Sequence, residues 1–579
     1  LHDALPISSV ETKRRLANRN TLSLKGMTIF KNSVCVIFWL VAPLPFGHFP
    51  KREIYRCLML RRTSYYFVTK KFQMQNNVLI FMFYSLEKIK MKKIISFILL
   101  GVLALTYSSC FEDHDDNPQY SSLEVKDFVW KGLNAVYLYK DPVLNLHNDA
   151  FANNEDYTNF LNSYASPEEL FESLMYQRES IDRFSWITND YIQLEQQLSG
   201  ISLHNGMEFG LVRESQSSST VYGYVRYVLP NTSASAQGIQ RGNFFDKVNG
   251  TPLYYNSSTD NNFDLFNSNN YTISLAFYND NGTSETSDDS IESTGETITL
   301  TKQSYTENPI YYSDVFQVGG INTGYLMYNG FTSSFDGQLN NVFGNFLANN
   351  IQNLILDLRY NPGGSVNTAI ILGSLIAGHN GDVFSIEEWN SEIQSHLEDT
   401  NPESLINRFT NNDDGTPLNI LNLDKVYILT TGSSASASEL VINCLKPYID
   451  VVQIGTTTTG KPQASTTIYD SDDFSREGAN PNHTYAMQPL IYKSLNANGV
   501  TDYYTGLTPN IEVSEKLSNL GVIGDVNETL LAAAISAIED SNRSPVTESK
   551  PSKFELVGDS NDLIPFGKDM ISNKPIPSF

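Results

Sequence analysis

Along residues 426–462 the spacing of apolar positions changes rhythm three times. Val426, Tyr427, Ile428 and Leu429 make an unbroken apolar run, which reads as a buried strand. The run breaks at Thr430-Thr431-Gly432 into a turn of small residues, 433–438. Leu440, Val441, Cys444 and Leu445 then recur at three- and four-residue spacing, the stripe of a helix with one packed face. A second apolar run, 451–454, ends in Gly455, four threonines and Gly460-Lys461.

The same alternation extends across 310–515, as expected of an α/β core. Residues 323–328 and 353–358 read as further strands, and Ile370, Ile371 and Leu372 mark a helix after the loop Pro362-Gly363-Gly364. Residues 120–199 have helical spacing, with Phe128, Leu133 and Tyr137 in one stretch and Leu170, Phe171, Leu174 and Met175 in another. Ser166-Pro167-Glu168-Glu169 is a good helix start, a capping hydroxyl followed by proline in the first turn. Residues 200–305 alternate at period two, most clearly in 224–228, and read as strands. Residues 380–422 are polar and read as an insertion. A helix near 530–538 precedes a proline-rich tail.

Strand, tight turn and helix can hold a serine hydroxyl at the end of a rigid element, beside backbone N–H groups that favour negative charge. The stretch resembles peptidase family S41, the C-terminal processing (tail-specific) peptidases, on two motifs. One is Ser434-Ala435-Ser436-Ala437-Ser438-Glu439 with Lys461 25 positions after Ser436; the other is Asp357-Leu358-Arg359-Tyr360-Asn361-Pro362-Gly363-Gly364. The resemblance implies that Ser436 is a nucleophile and Lys461 its base, with the backbone N–H groups of Gly363 and Ala437 as oxyanion hole. Glu439 and Gln463 are candidate supports of the dyad, because Pro462 and Ser465 depart from the family's usual residues after the lysine. The turn holds two rival serines. Ser434 is expected to cap the helix, and Ser438 to bond back to the chain.

The resemblance also implies a multidomain α/β protein. A tether and helical region at 111–199 is expected to precede a PDZ-like β-rich domain at 200–305. A ClpP/crotonase-like peptidase core at 306–540 and a tail at 541–579 would follow. Gly206, Met207, Glu208, Phe209, Gly210 and Leu211 resemble the loop and strand by which a PDZ module binds a peptide's C-terminus and extends its own sheet. The implied activity is hydrolysis of protein or peptide substrates without metal or cofactor. A catalytically silent binding lipoprotein is the alternative.

Charge narrows the partners. The chain has 40 basic and 64 acidic residues, a net −24 that argues against nucleic acid. Residues 1–90 hold 15 basic and 4 acidic residues, so they differ in kind from the remainder and read as upstream sequence. Met91-Lys92-Lys93, an apolar run at 94–105 and small residues before Cys110 resemble a bacterial lipoprotein signal. That predicts lipid on Cys110 and a cell-envelope location on the outer membrane, facing the periplasm or the surface. Other signals are weak. Gly455 to Lys461 has the spacing of a phosphate loop, but Pro462 lacks the hydroxyl such a loop needs for magnesium. Asp280-Asn281-Gly282 with Asp288-Asp289 lacks the ligand spacing of a calcium loop. No histidine stands in a motif with the serine.

Overall fold

The computed structural model describes residues 121–539 and 553–577, apart from 216–217, 284 and 565–566. It also describes three short antiparallel strands, Ser23–Leu24, Met27–Phe30 and Ser33–Val34, in a separate unit spanning 1–113. The signal expected at 91–110, with Cys110, lies outside the described residues.

A six-stranded sheet organises the rest. Its order is Ile310–Val318, Ile321–Tyr328, Asn353–Asp357, Lys425–Thr430, Asp450–Gly455 and Ile511–Glu512. The first pair is an antiparallel hairpin and all later pairs are parallel. Parallel neighbours need crossovers, and the helices Asp336–Ala348, Val366–Ala377 and Ala437–Leu445 lie in three of the four. Parallel strands are usually covered on both faces, and the alternation shows it here. Leu326, Tyr328, Leu354, Leu356, Val426 and Ile428 pack into the large core with the crossover helices. Tyr325, Met327, Ile355, Tyr427, Leu429 and Ile454 face the other way, under the helix Thr529–Glu539.

The N-terminal helices join that large core. Ser122–Val136 buries Phe128, Val129 and Leu133 against it, and Pro167–Ser173 begins with the Ser166 hydroxyl accepting from the Glu169 N–H. A three-stranded sheet of Trp186–Thr188, Ala486–Gln488 and Ile468–Tyr469 ties this region to the core's C-terminal half. Residues 201–301 build their own sheet around Phe209, Val225, Phe245 and Ile273. Its strands run in the order 290–301, 270–279, 244–248, 251–257, 220–228, 207–213 and 555–559.

Two stretches join the fold more closely than their polar or proline-rich composition suggests. The polar stretch 380–422 is woven into the fold, because Val383–Trp389 alternates and buries Phe384 and Trp389 while pairing with Leu490–Leu495. The C-terminal segment is structured as well. Glu555–Asp559 closes the 207–213 edge, and Met570–Ile571 lies between Gly364–Ser365 and Gln463–Ser465 in a second six-stranded sheet. Proline content hid both strands, each too short to show a period.

Candidate active site

The strands Asn353–Asp357, Lys425–Thr430 and Asp450–Gly455 are parallel neighbours, so the loops at their C-terminal ends converge. Those loops carry the two motifs and Lys461.

Ser436 occupies the turn into the helix Ala437–Leu445 with φ +62° and ψ −116°, a left-handed backbone that a non-glycine residue rarely adopts. It is fully buried, and its Oγ has no hydrogen-bond partner among the described residues. An unsatisfied buried hydroxyl costs about 1–3 kcal/mol. Strain and a missing partner coincide at this residue.

The neighbouring serines are engaged. Ser434 Oγ donates to the Leu358 carbonyl at 2.7 Å and accepts from the Thr431 N–H at 3.0 Å, so it pins the loop and, against expectation, does not cap the helix, whose N-cap position is Ser436. Ser438 Oγ donates to the Asn361 carbonyl at 3.0 Å, which ties the helix to the 361–364 loop.

Glu439 brings the two motifs together. One carboxylate oxygen accepts from the Ser436 N–H at 2.8 Å and from the Lys461 N–H at 2.9 Å. The other accepts from the Gly460 N–H at 2.7 Å and from the Thr458 hydroxyl. Burial raises the Glu439 carboxyl above the usual range, against the pull of these four donors. It is the carboxylate that fixes the Ser436 turn to the segment carrying Lys461.

Lys461 Nζ is buried and pairs with the carboxylate of Asp569. It also sits 4.8 Å from the centre of the Phe184 ring. Burial holds the ammonium below its ordinary pKa, with Asp569 opposing. Gln463 does not support it, since its amide nitrogen donates to the Tyr139 hydroxyl at 2.9 Å. Pro462 separates the two, and the first residue of the next strand points toward the N-terminal region.

Gly363 shows why a glycine is needed beside the serine. Its φ is +116°, and a Cβ there would fall 2.6 Å from Ser436 Cβ and 3.0 Å from Ser436 Oγ. Its N–H, however, donates to Asn361 Oδ1 at 2.9 Å. Ala437 opens the helix, where the first N–H groups have no intrahelical acceptor. A cavity of about 230 Å3 runs along this loop, lined by Phe331, Pro362, Gly363, Gly364 and Asp569 among others.

Behind the loop Arg359 is fully buried and makes paired bonds to Glu528 at 2.8 and 2.9 Å, with Asp357 and Glu515 on its other donors. Gly206, Met207, Glu208, Phe209, Gly210 and Leu211 lie away from this centre. From Met207 on they form a strand, with Gly210 and Leu211 paired to Asp559 and Gly558. Glu208 bonds His204 at 2.8 Å and the Ser560 hydroxyl.

Asp569 is the group that sequence reasoning misses, because 108 residues separate it from Lys461 and no motif marks it. Arg183 and Phe184 are assigned no chemistry by that reading either. Arg183 donates to the carbonyls of Thr459, Gly460 and Tyr504 at 3.2, 2.7 and 3.2 Å and so braces the turn before Lys461. Their signal was the motif Asp182-Arg183-Phe184-Ser185-Trp186, to which helical packing alone assigns no chemistry.

Residues 322–513 match the model of peptidase family S41, and residues 124–186 match that of the peptidase S41 N-terminal domain. A protein described as a CtpA-like serine protease, from Staphylococcus epidermidis, is 27% identical over 205 residues, which is 35% of this chain and 36% of that relative. The match thus spans about a third of the relative's length. The crystal structure of an S41 protease from Bacteroides fragilis superposes with a TM-score of 0.53 at 23% identity, covering 72% of this chain and 98% of that one, which shows a shared fold. Two segments matching peptidase family S41, its N-terminal domain and its peptidase domain, thus follow one another in order along the chain.

Proposed function

We propose that the protein is a serine peptidase that hydrolyses peptide bonds through Ser436 and Lys461. The observation that carries this reading is the Glu439 carboxylate oxygen shared by the backbones of Ser436 and Lys461, beside a serine hydroxyl left without a partner. In the proposed step, neutral Lys461 Nζ takes the proton as Ser436 Oγ bonds to the scissile carbonyl carbon. The resulting oxyanion faces the Ala437 N–H, joined by the Gly363 N–H once Asn361 releases it. Lys461 then returns the proton to the leaving amine, and water resolves the acyl-enzyme by the reverse sequence. Burial favours the neutral lysine that this step needs.

The edge of Met207–Arg213 is suited to an extended peptide, since it accepts a strand main chain to main chain. Recognition of substrate C-termini by a PDZ-like module there belongs to the same proposal. So does an envelope location through lipid on Cys110, which the 91–110 pattern supports.

The test is labelling by a fluorophosphonate probe together with mass spectrometry of a casein digest. Wild type should take one adduct at Ser436 and cut casein, and Ser436→Ala should do neither. An adduct on Ser434 or Ser438, or casein cleavage by folded Ser436→Ala, would reject the assignment.

A further inference from the structure

Residues 553–577 enter two places that a substrate chain needs. Glu555–Asp559 pairs antiparallel with Met207–Arg213, placing Glu555 opposite Arg213 and Asp559 opposite Gly210. Farther along, Met570–Ile571 pairs in parallel with Gly364–Ser365 on one side, and Ile571 with Ser465 on the other. This second seat lies between the glycine loop and the strand that follows Lys461.

The fit there is close. The Asp569 carbonyl accepts from the Gly364 N–H at 2.7 Å, its carboxylate holds Lys461, and Met570 is fully buried. A Cβ placed on Gly363 would meet both Ser436 Cβ, at 2.6 Å, and the Asp569 carbonyl, at 2.9 Å. Tail backbone, glycine loop and Ser436 are therefore close neighbours, and the cavity beside them is itself lined by Asp569 and Ile571 of the tail. Between the two seats, Asp559 pairs with Arg226 at 3.0 Å and accepts from the hydroxyl of Ser433, in the nucleophile turn.

We propose that Glu555–Asp559 and residues 569–571 are tethered occupants of the substrate groove, and that they mark two seats of an extended polypeptide, one on the 207–213 edge and one beside Ser436. The proposal rests on the peptidase reading above. The bound tail is spared cleavage for reasons visible in the geometry. Its Asp569 carbonyl is held by Gly364 and not by the expected oxyanion donors, and the Gly363 N–H is spent on Asn361. The Asp569 carboxylate also keeps Lys461 engaged, so Ser436 lacks a free base. The partner that displaces the tail is an extended polypeptide that pairs through its main chain, as the tail does.

The experiment uses the full chain with Asp569→Asn, which keeps the side chain's size, and with Met570→Glu, which loosens the seat further. Two readouts are taken: the rate of fluorophosphonate labelling, and the affinity for a fluorescein-labelled synthetic peptide copying residues 553–577. A tether presents its own segment at roughly millimolar effective concentration, so a free peptide competes poorly with it. Both variants should label at least about tenfold faster than wild type and bind the peptide at least about tenfold more tightly. If Met570→Glu does not fold, Asp569→Asn carries both readouts. Unchanged labelling together with unchanged peptide affinity would overturn the occupancy and leave the peptidase reading intact. No labelling in any chain, with tighter peptide binding by the variants, would support the occupancy and sink the peptidase reading.

Discussion

Two buried polar clusters stand at the ends of neighbouring parallel strands, and they differ in how completely they are paired. Around Arg359, the carboxylates of Asp357, Glu515 and Glu528 meet guanidinium donors, and the Tyr360 hydroxyl donates to Glu515 at 2.6 Å. Burial would raise the Glu515 carboxyl, but Arg241 and Arg359 outweigh it and hold it at about 2. Around Ser436 the pairing is incomplete. Among the described residues the serine hydroxyl and one Asp569 oxygen are buried without partners, and Lys461 is held below its usual pKa. A saturated network locks a loop in place, while an incomplete one keeps a group able to react. The first cluster positions the Asp357–Gly364 loop against which the second works.

Separating the two roles begins with the largest expected effect. Ser436→Ala and Lys461→Ala should each lower casein hydrolysis by roughly a thousandfold or more, as removal of a nucleophile or its base does. Ser436→Ala should melt near wild type, whereas Lys461→Ala strands the Asp569 carboxylate and should melt lower. Loss of activity that merely follows unfolding would erase the distinction. Arg359→Ala should act the other way. It leaves buried carboxylates facing no cation, and should cost about 3–5 kcal/mol in urea denaturation.

Asp336 tests an intermediate case, a buried carboxyl answered by the Thr368 hydroxyl at 2.8 Å. Burial pushes it up to about 7, with Thr368 pulling back. The folded state thus holds its proton to higher pH than the unfolded chain, whose carboxyl titrates near 4. Stability present below pH ~4 should fall as pH rises toward 7, by at most about 1.4 kcal/mol per unit. Asp336→Asn should flatten that slope and raise the melting temperature at pH 8 but not at pH 4. An unchanged slope would count against it. The smallest effect is expected from Ser434→Ala, which loses two hydrogen bonds and should cost about 1 kcal/mol while sparing most hydrolysis.

The sequence made the α/β core legible because strands such as 426–429 and the helix stripe after Ser436 differ so plainly in period. It made Ser436, Lys461 and Gly363 legible through their motifs, and the structure brings Ser436 against Gly363 and links it to Lys461 through Glu439. What it withheld depends on contacts across long separations. The hydroxyl of Ser434 meets Leu358, and Gln463 meets Tyr139 324 residues away. Neither follows from local spacing. Strands of two residues, such as Met570–Ile571, have no periodicity to read and exist only because their neighbours leave a gap.

The pairing of Glu555 with Arg213 spans 342 residues of chain, and this gives folding a late step. Contacts that distant repay the entropy of loop closure only after the intervening segments are in place. On the ribosome, Ser436, Lys461 and the glycine loop are all made before the strand that closes the 207–213 edge, and Asp569 after it. A nascent molecule therefore passes through an interval with its central sheet assembled and the space between Gly364 and Ser465 still open.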